Sequence, residues 1–197
     1  MRIDHLAIDK WITKNSRVLD LGCGDGSLLK HLTDSKHVHG YGLEISAEYI
    51  QACVEKGVNV IEQDLDKGLE NFKSDSFDTV IMSYTLQTMH YPDKVLRDML
   101  RIGKEGIVTF PNFGHWNARL HLLFRGRMPV SKRLPYQWYN TPNIHFCTFR
   151  DFEKLCNEMK FNIVDHLVVS ENTPSQILHK WKPNLFGETG IYRITRS

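Results

Sequence analysis

Short apolar runs alternate along the chain with longer segments in which apolar residues recur every three or four positions. The runs have the length of buried strands, and the recurring pattern is typical of amphipathic helices. The runs predict strands at residues 17–21, 39–45, 58–61, 79–82, 106–110, 162–170 and 190–196. The recurring pattern predicts helices at residues 4–14, 27–32, 46–57, 92–102 and 148–159, and 117–124 also fits a helix. Strands that alternate with helices predict an α/β protein with a mostly parallel sheet.

Local signals fix some of the predicted boundaries. Ser46 stands at the N-cap of the third helix, and Thr148, with an acid three residues later, predicts a capping box at the last helix. Residues 103–106 predict a turn before the fifth strand. The expected buried face of the third helix consists of Ile50, Cys53 and Val54.

The first predicted strand ends in a glycine-rich turn, which reads V-L-D-L-G-C-G-D-G-S-L-L at residues 18–29. Glycines there allow positive φ angles and let a ligand approach bare main chain. A dinucleotide fingerprint needs glycine or alanine where this chain has Ser27, and the third glycine comes one residue early, at Gly26. G-x-G-x-G after the acidic Asp20 instead resembles motif I of the class I S-adenosylmethionine-dependent methyltransferases. The alternative is a glycine-rich turn that binds nothing.

This resemblance implies a cofactor site at the carboxyl ends of the first strands. S-adenosylmethionine, or S-adenosylhomocysteine after methyl transfer, has an amino-acid end with both charges, which Asp20 and the turn amides can bind between them. Glu44 lies 20 residues after Gly24, at the end of the second predicted strand, where a carboxylate accepts hydrogen bonds from ribose hydroxyls. The alternative for Glu44 is a solvated loop carboxylate.

Two further positions complete the predicted crevice. Asp64 follows the third strand and resembles the residue that binds the adenine amino group, with the amide of Leu65 on the ring. The alternative for Asp64 is a turn aspartate. Ser83 ends the fourth strand, which faces the transferable methyl group in this fold. The full set of predicted cofactor contacts is Asp20, Gly22, Cys23, Gly24, Gly26, Glu44, Ile45, Asp64, Leu65 and Ser83.

Composition places few other limits on function. The 197 residues are 41% hydrophobic and 24% charged, which predicts one ordinary globular domain, and the net charge of +2 is too small to indicate nucleic-acid binding. The four cysteines have no metal-ligand spacing, so we expect reduced thiols and a cytoplasmic protein. The first residues lack the apolar core of a signal peptide, and no run approaches the roughly 20 residues that span a membrane.

Residues 112–148 interrupt the α/β pattern. No Asp or Glu occurs between residues 106 and 150, where basic and aromatic residues are interleaved. The basic residues are Arg119, Arg125, Arg127, Lys132, Arg133 and Arg150, and the aromatic residues include Trp116, Phe124, Tyr136, Trp138 and Tyr139. A long segment of this kind inside a compact domain is usually functional. Its position after the fifth strand predicts an insertion over the cofactor crevice, whereas the loop at 173–189 carries no such indication.

Several motifs together resemble one family, the methionine biosynthesis protein MetW. They are V-L-D-L-G-C-G-D-G at 18–26, Y-G-L-E-I at 41–45, G-V-N-V-I at 57–61, L-D-K-G-L at 65–69, F-P-N-F-G-H-W at 110–116, R-G-R-M-P-V at 125–130 and P-Y-Q-W-Y-N-T-P-N-I-H at 135–145. The resemblance covers nearly the whole chain and implies a three-layer Rossmann-like fold, with seven mostly parallel strands and an antiparallel last strand. It also implies a protein partner, the homoserine O-acetyl- or O-succinyltransferase of methionine synthesis. We expect this contact in the segment 112–148.

These motifs do not establish turnover. Methyl transfer to a hydroxyl or ammonium group needs a base. The candidates near the crevice, none of which has a motif spacing, are His90, His115 and His145, with Tyr84 as a positioning residue. Metal-assisted transfer favours clustered carboxylates at the ends of strands four and five, where the chain has Ser83 and Asn112, so we predict no metal. The alternatives to a partner protein are a small-molecule methyltransferase and a nucleic-acid methyltransferase.

Overall fold

The computed structural model describes residues 3–131, 134–170 and 181–197. Its strands are β1 (Arg17–Leu21), β2 (His39–Glu44), β3 (Val60–Glu62), β4 (Phe77–Ser83), β5 (Gly103–Pro111), β6 (Phe161–Val169) and β7 (Thr189–Arg196). Its helices are α1 (Ile3–Trp11), α2 (Ser27–Lys36), α3 (Ala47–Glu55), α4 (Pro92–Ile102), α5 (Trp116–Arg125), α6 (Phe149–Glu158) and α7 (Pro183–Phe186). Two 3₁₀ helices, Leu65–Lys67 and Leu86–Thr88, follow β3 and β4.

The strands of the described residues form one seven-stranded sheet in the order β3-β2-β1-β4-β5-β7-β6. Strands β1 to β5 pair in parallel, and β7 is antiparallel to both β5 and β6. The predicted Rossmann-like architecture with an antiparallel last strand is therefore confirmed. The strand order reverses between β1 and β4, and ligands of such sheets bind at the carboxyl ends of the strands near that point.

Helices cover both faces of the sheet because the strands are apolar on both sides. Ile8 of α1, Leu29 of α2 and Cys53 of α3 belong to one buried cluster. Leu96 of α4 and Phe152 of α6 belong to a second cluster. Successive residues of a strand point to opposite faces, and neighbouring residues of β1 and β4 are divided between the two clusters in this way. This packing fixes the carboxyl ends of β1, β2 and β4 side by side.

The fifth strand begins earlier than predicted. Residues 103–106 form the start of β5, not a turn. Gly103 ends α4 and pairs with Phe77 of β4, so the chain passes from helix to strand without a loop. A Cβ at Gly103 would lie 2.6 Å from the Val80 side chain, which explains a glycine at this close approach.

Other predicted boundaries differ by a few residues. Helix α1 ends at Trp11 instead of residue 14, and α2 continues to Lys36 instead of ending at residue 32. Strand β3 is limited to Val60–Glu62 and does not include Val58. The reason is that the N–H of Val58 donates to the carbonyl of Cys53, at the end of α3, and not to a neighbouring strand.

Helices α3 and α6 differ in the hydrogen bonds of their predicted caps. Ser46 stands at the N-cap of α3 as predicted, but its hydroxyl makes no capping hydrogen bond. Thr148 and Asp151 form the predicted capping box at α6, each side chain accepting the other residue's N–H. The predicted buried face of α3 needs correction, because Cys53 is fully buried whereas Val54 is 66% exposed.

No helix within the described ranges is long and apolar enough to cross a bilayer. The loop predicted at 173–189 lies partly outside the described residues, and its later part contains α7. Asn112, which follows β5, donates its side-chain amide to the carbonyls of Asn184 and Gly187. These bonds attach the beginning of the 112–148 segment to α7.

Candidate functional site

The glycine turn between β1 and α2 contains three residues with left-handed backbone. Gly22, Gly24 and Gly26 have φ angles of 76°, 55° and 73°, where any residue with a Cβ is strained. A Cβ at Gly22 would lie 2.6 Å from Oγ1 of Thr85, which follows β4. A Cβ at Gly24 would meet no atom within 4 Å. The turn is therefore packed at Gly22 and borders open space at Gly24.

The structure brings Glu44, at the end of β2, onto this turn. Its Oε2 accepts the N–H of Gly24 at 2.9 Å, and its Oε1 accepts the N–H groups of Ile45 and Ser46 at 2.8 and 3.0 Å. These donors hold the carboxylate in one orientation at the start of α3, where the helix dipole favours a negative charge. The Glu44 carboxylate, not the Ser46 hydroxyl, therefore accepts N–H groups at the start of this helix.

Asp20 and Cys23, on either side of Gly22 in the chain, are both buried. Asp20 is 2% exposed, and the Sγ of Cys23 lies 3.8 Å from the Sγ of Cys53. Burial, with a further contribution from the Asp20 carboxylate, raises the pKa of the Cys23 thiol well above its ordinary value. Cys23 is therefore a protonated packing residue that can offer only its main chain to a ligand.

Lys56, for which the sequence gives no motif, ties the end of α3 to the glycine turn. Its Nζ donates to the carboxylate and the main-chain carbonyl of Asp25, and also to the hydroxyl of Ser27. The hydrogen bond from Lys56 lowers the pKa of Asp25 from 3.8 to about 2. Asp25 thus belongs to the framework of the turn.

The next two predicted positions, Asp64 and Leu65, lie at the 3₁₀ helix after β3. The Oδ1 of Asp64 accepts the N–H of Asp66 at 3.1 Å, and its Oδ2 lies 3.8 Å from the Nζ of Lys67. Leu65 is buried. The geometry of Asp64 is that of a capping aspartate in a turn, which was the alternative to an adenine ligand. Its role toward a cofactor stays a prediction.

The end of β4 combines polar contacts with an unusual backbone. The hydroxyl of Ser83 lies 3.2 Å from that of Thr109 on β5. Tyr84 has a φ of 57°, which is rare for a bulky residue, and such strain concentrates at functional sites. The N–H of Tyr84 donates to the Thr109 carbonyl, and its hydroxyl lies 2.9 Å from the hydroxyl of Thr189 on β7. The ring is thereby fixed between the last strands of the sheet.

Two of the three candidate bases have side-chain contacts within the protein, and the third is exposed. The Nδ1 of His90 lies 2.7 Å from Oδ2 of Asp66. Burial acts to raise the pKa of Asp66, but the hydrogen bonds from His90 outweigh it, and the pKa is lowered overall. His115 accepts the N–H of Asn117 at the start of α5, and the His145 side chain is exposed.

In the described ranges, no group of three or more His, Cys, Asp or Glu residues could hold a metal ion.

Gln87, in the 3₁₀ helix after β4, is a residue that sequence reasoning missed. Its side-chain amide donates to the Tyr84 carbonyl at 2.8 Å, and the residue is only 7% exposed. Its main-chain carbonyl accepts the N–H groups of Ile144 and His145 at 2.8 and 3.0 Å. Gln87 therefore connects the end of β4 to the end of the 112–148 segment. No periodicity or motif marks it, because its role depends on a contact between distant parts of the chain.

The two ends of the 112–148 segment meet at its base. The N–H of Phe113 donates to the carbonyl of Cys147 at 3.1 Å, and the rings of Phe113 and Phe146 are 5.0 Å apart. Together with the bonds from Gln87, this base attaches the segment to the chain that follows β4. The segment thus lies at the carboxyl edge of the sheet, on the side where the crevice is predicted.

The sheet order and the glycine turn define a class, the fold of S-adenosylmethionine-dependent methyltransferases. Solved structures with this fold include a methyltransferase from Mesorhizobium loti, with a TM-score of 0.69 and 17% identity over 98% of this chain and 96% of that one. Another, from Archaeoglobus fulgidus, has a TM-score of 0.69 and 16% identity over 98% of this chain and 93% of that one. At this identity the similarity shows the fold alone.

Sequence comparison identifies a single family within this fold. A family model described as "Methionine biosynthesis protein MetW" matches residues 2–194, so the chain belongs to the MetW family. The chain is also 33% identical, over 205 aligned positions, to the "Bifunctional methionine biosynthesis protein MetXA/MetW" of Rhodopirellula baltica. That alignment covers all of this chain and 33% of the relative, so this chain spans a third of the length of the curated protein.

Proposed function

We propose that this protein binds S-adenosylmethionine and acts in methionine biosynthesis as a partner of homoserine O-acyltransferase, whose activity it supports. The observation that carries the proposal is the Rhodopirellula baltica relative, whose name joins MetXA and MetW in one bifunctional protein. We take the MetXA unit to be the acetyl- or succinyltransferase that the MetW resemblance implies. Two proteins joined in one chain have a high effective concentration, and separate chains need a physical interface to reach the same proximity.

The crevice supports the cofactor part of the proposal. Asp20 and the amides of the glycine turn are the groups proposed for the amino-acid end, and Glu44 for the ribose hydroxyls. Glu44 already accepts three N–H groups, and a carboxylate has about four acceptor positions, so one position stays available for a ribose hydroxyl. Ile45, which is 62% exposed beside Glu44, offers an apolar surface for adenine, with Asp64, Leu65 and Ser83 as the remaining proposed contacts.

When bound, S-adenosylmethionine would supply a methyl group on a positively charged sulfur. The chain's own residues give little support for rapid turnover. His90 is engaged with Asp66, and His115 serves the start of α5. A general base must reach the proton that it removes, and neither contact assigns a histidine to that task. These contacts favour a protein in which the cofactor is bound as a signal, because S-adenosylmethionine is made from the product of the pathway.

The test is the activity of the homoserine O-acyltransferase encoded in the same genome, with and without this protein, over a range of S-adenosylmethionine concentrations. We expect the acyltransferase rate to rise with this protein and to depend on the cofactor. The Glu44→Ala variant should lose the cofactor dependence, whereas Glu158→Gln, an exposed carboxylate on α6, should retain it. Equal rates with and without the protein would remove the proposal.

The second candidate is a methyltransferase that acts on a small molecule. The strained backbone of Tyr84 at the end of β4 is the observation that favours it, since strain of this kind concentrates at catalytic positions. Transfer of a labelled methyl group to a metabolite of the pathway would support this candidate. Release of S-adenosylhomocysteine with no methylated acceptor among those metabolites would count against it.

A further inference from the structure

Helix α5 carries an apolar stripe that faces solvent. Trp116, Leu120, Leu123 and Phe124 stand at positions i, i+4, i+7 and i+8, which lie on one side of a helix. Leu123 is 73% exposed and Phe124 78%, and no residue of α5 is buried. A soluble helix normally buries such a stripe, because each large apolar side chain gains about 1.5–3 kcal/mol by leaving water. The stripe therefore has a binding capacity that the described fold does not use.

A second exposed apolar group follows α5 in the chain. Trp138 and Tyr139 are 74% and 70% exposed, and their rings meet edge to face at 5.8 Å. A cavity of about 940 Å³ lies between these elements, lined by His121 and Arg125 of α5 and by Trp138. Helix α5 borders this depression with His121 and Arg125, and the aromatic pair borders it with Trp138. The same lining includes Met128, a side chain that adapts its shape to a partner.

The charged side chains of residues 121–138 that line this cavity have one sign. Arg125 and Arg127 line the cavity, and the chain has no Asp or Glu between residues 106 and 150. Arginine, tryptophan and tyrosine are also the residues that most often dominate the binding energy of protein interfaces. The surface therefore combines exposed apolar side chains with cationic side chains that line the cavity.

We infer that this surface, here called the insertion face and consisting of Trp116, Leu120, Leu123, Phe124, Arg125, Arg127, Trp138 and Tyr139, is the docking site for homoserine O-acyltransferase. The inference rests on the proposed function and adds the chemistry of the counter-surface. The acyltransferase must present acidic side chains to Arg125 and Arg127 in the cavity and apolar side chains to the α5 stripe and the aromatic pair. Charge complementarity of this kind steers the encounter, and the desolvated apolar centre supplies most of the affinity.

A protein fits this surface better than a nucleic acid. Leu120 and Leu123 offer aliphatic contact, which bases do not use for stacking, and the net charge of the chain is only +2. The stripe on α5 has the i, i+4, i+7 spacing with which helices bind apolar grooves of proteins. The contacts of Phe113 with Cys147 and Phe146 close the base of the segment, and a segment that is ordered before binding loses less entropy on association.

The test measures the dissociation constant of the full-length protein for the homoserine O-acyltransferase of the same genome, by calorimetry or by a surface-based binding assay. The double variant Leu123→Ser, Phe124→Ser should weaken binding about 30-fold or more, as expected when interface hot spots are removed. The variant Arg127→Glu should slow association and reduce the loss of affinity with added salt. The matched controls are Val54→Ser, an exposed aliphatic residue on α3, and Lys10→Glu, an exposed cation on α1, and neither should change the constant.

The outcomes separate this inference from the proposed function. If the unaltered protein does not bind the acyltransferase, the proposed function fails. If it binds and the double variant and Arg127→Glu bind equally well, only the insertion face is wrong. Association of the unaltered chain with itself, or with a single-stranded RNA, that the double variant abolishes would assign the face to that occupant and overturn the inference. Unchanged binding of S-adenosylmethionine by each variant checks that it is folded.

Discussion

The cofactor crevice and the insertion face use apolar residues in opposite ways. Around the crevice, the apolar side chains of β1, β4 and α2 are buried, and a Cβ at Gly22 would already be too close to Thr85. On the insertion face, Phe124 and Trp138 are more than 70% exposed. Packing around the crevice contributes to folding and orders the donors of the turn. The side chains of Phe124 and Trp138 are mostly in contact with water and therefore contribute little to folding.

The largest expected difference between the two regions is in stability. Phe110→Ala should lower the free energy of unfolding by about 3–5 kcal/mol, because Phe110 is fully buried and stacked on Tyr192 at 5.7 Å. Phe124→Ala, its matched control on the insertion face, should change it by less than about 0.5 kcal/mol. Urea denaturation followed by circular dichroism measures both. Similar losses for the two variants would mean that the insertion face packs against the domain.

A smaller effect is expected at the glycines. Gly22→Ala should destabilise the protein by about 2–4 kcal/mol. The alanine would have to keep a φ of 76°, which is strained, and its Cβ would lie 2.6 Å from Thr85. Gly126→Ala, after α5, has a φ of 59° but open space around the Cβ, so it should lose only about 1 kcal/mol. The same denaturation experiment compares the two. Equal losses would show that backbone strain alone, without the contact to Thr85, accounts for the effect.

The affinity for S-adenosylmethionine should depend on the crevice and not on the insertion face. Glu44→Gln should weaken binding about 10-fold to 100-fold, because a charged acceptor is replaced by a neutral amide. Trp138→Ser, on the insertion face, should leave this affinity unchanged while it weakens binding of the acyltransferase. Calorimetric titration with the cofactor measures the effect. A Glu44→Gln variant with full affinity would contradict the predicted ribose contact.

The smallest expected effect is that of the salt bridge between Asp25 of the glycine turn and Lys56. The pKa of Asp25 is lowered to about 2 by Lys56, so the contribution of this pair is present above pH 4 and is lost as the pH falls from about 4 to 2. Because Asp25 is half exposed, the contribution should be only about 0.5–1 kcal/mol. Carbon-detected NMR titration should show the midpoint of Asp25 near 2, and in Lys56→Met it should move up toward 3.8. An unchanged midpoint in that variant would rule out Lys56 as the cause.

Much of the fold was predictable from local patterns. The apolar runs gave the seven strands, and the capping box of Thr148 gave the start of α6. The boundary between α4 and β5 was not predictable, because Gly103 begins the strand through its pairing with Phe77, a residue far away in the sequence. The exposure of Val54 was missed for a related reason, since the depth to which a helix packs depends on its neighbours in space.

The candidate site was predictable to a similar degree. The motif G-x-G-x-G and the distance of 20 residues to Glu44 predicted that the carboxylate lies beside the turn, and the two are joined by a hydrogen bond of 2.9 Å. The contacts of Lys56 with Asp25, and of Gln87 with Ile144 and His145, had no sequence signal. They join elements that approach each other only in the folded protein.

The amino-acid sequence by itself determined the α/β class, the glycine turn and its acidic neighbour, because strand periodicity and glycine spacing are local properties of the chain. It also determined that the segment 112–148 contains basic and aromatic residues and no Asp or Glu. Only the tertiary structure decided which of those side chains remain in contact with water. That outcome depends on whether another element packs against α5, and burial of this kind is decided by the whole fold and not by neighbouring residues in the sequence.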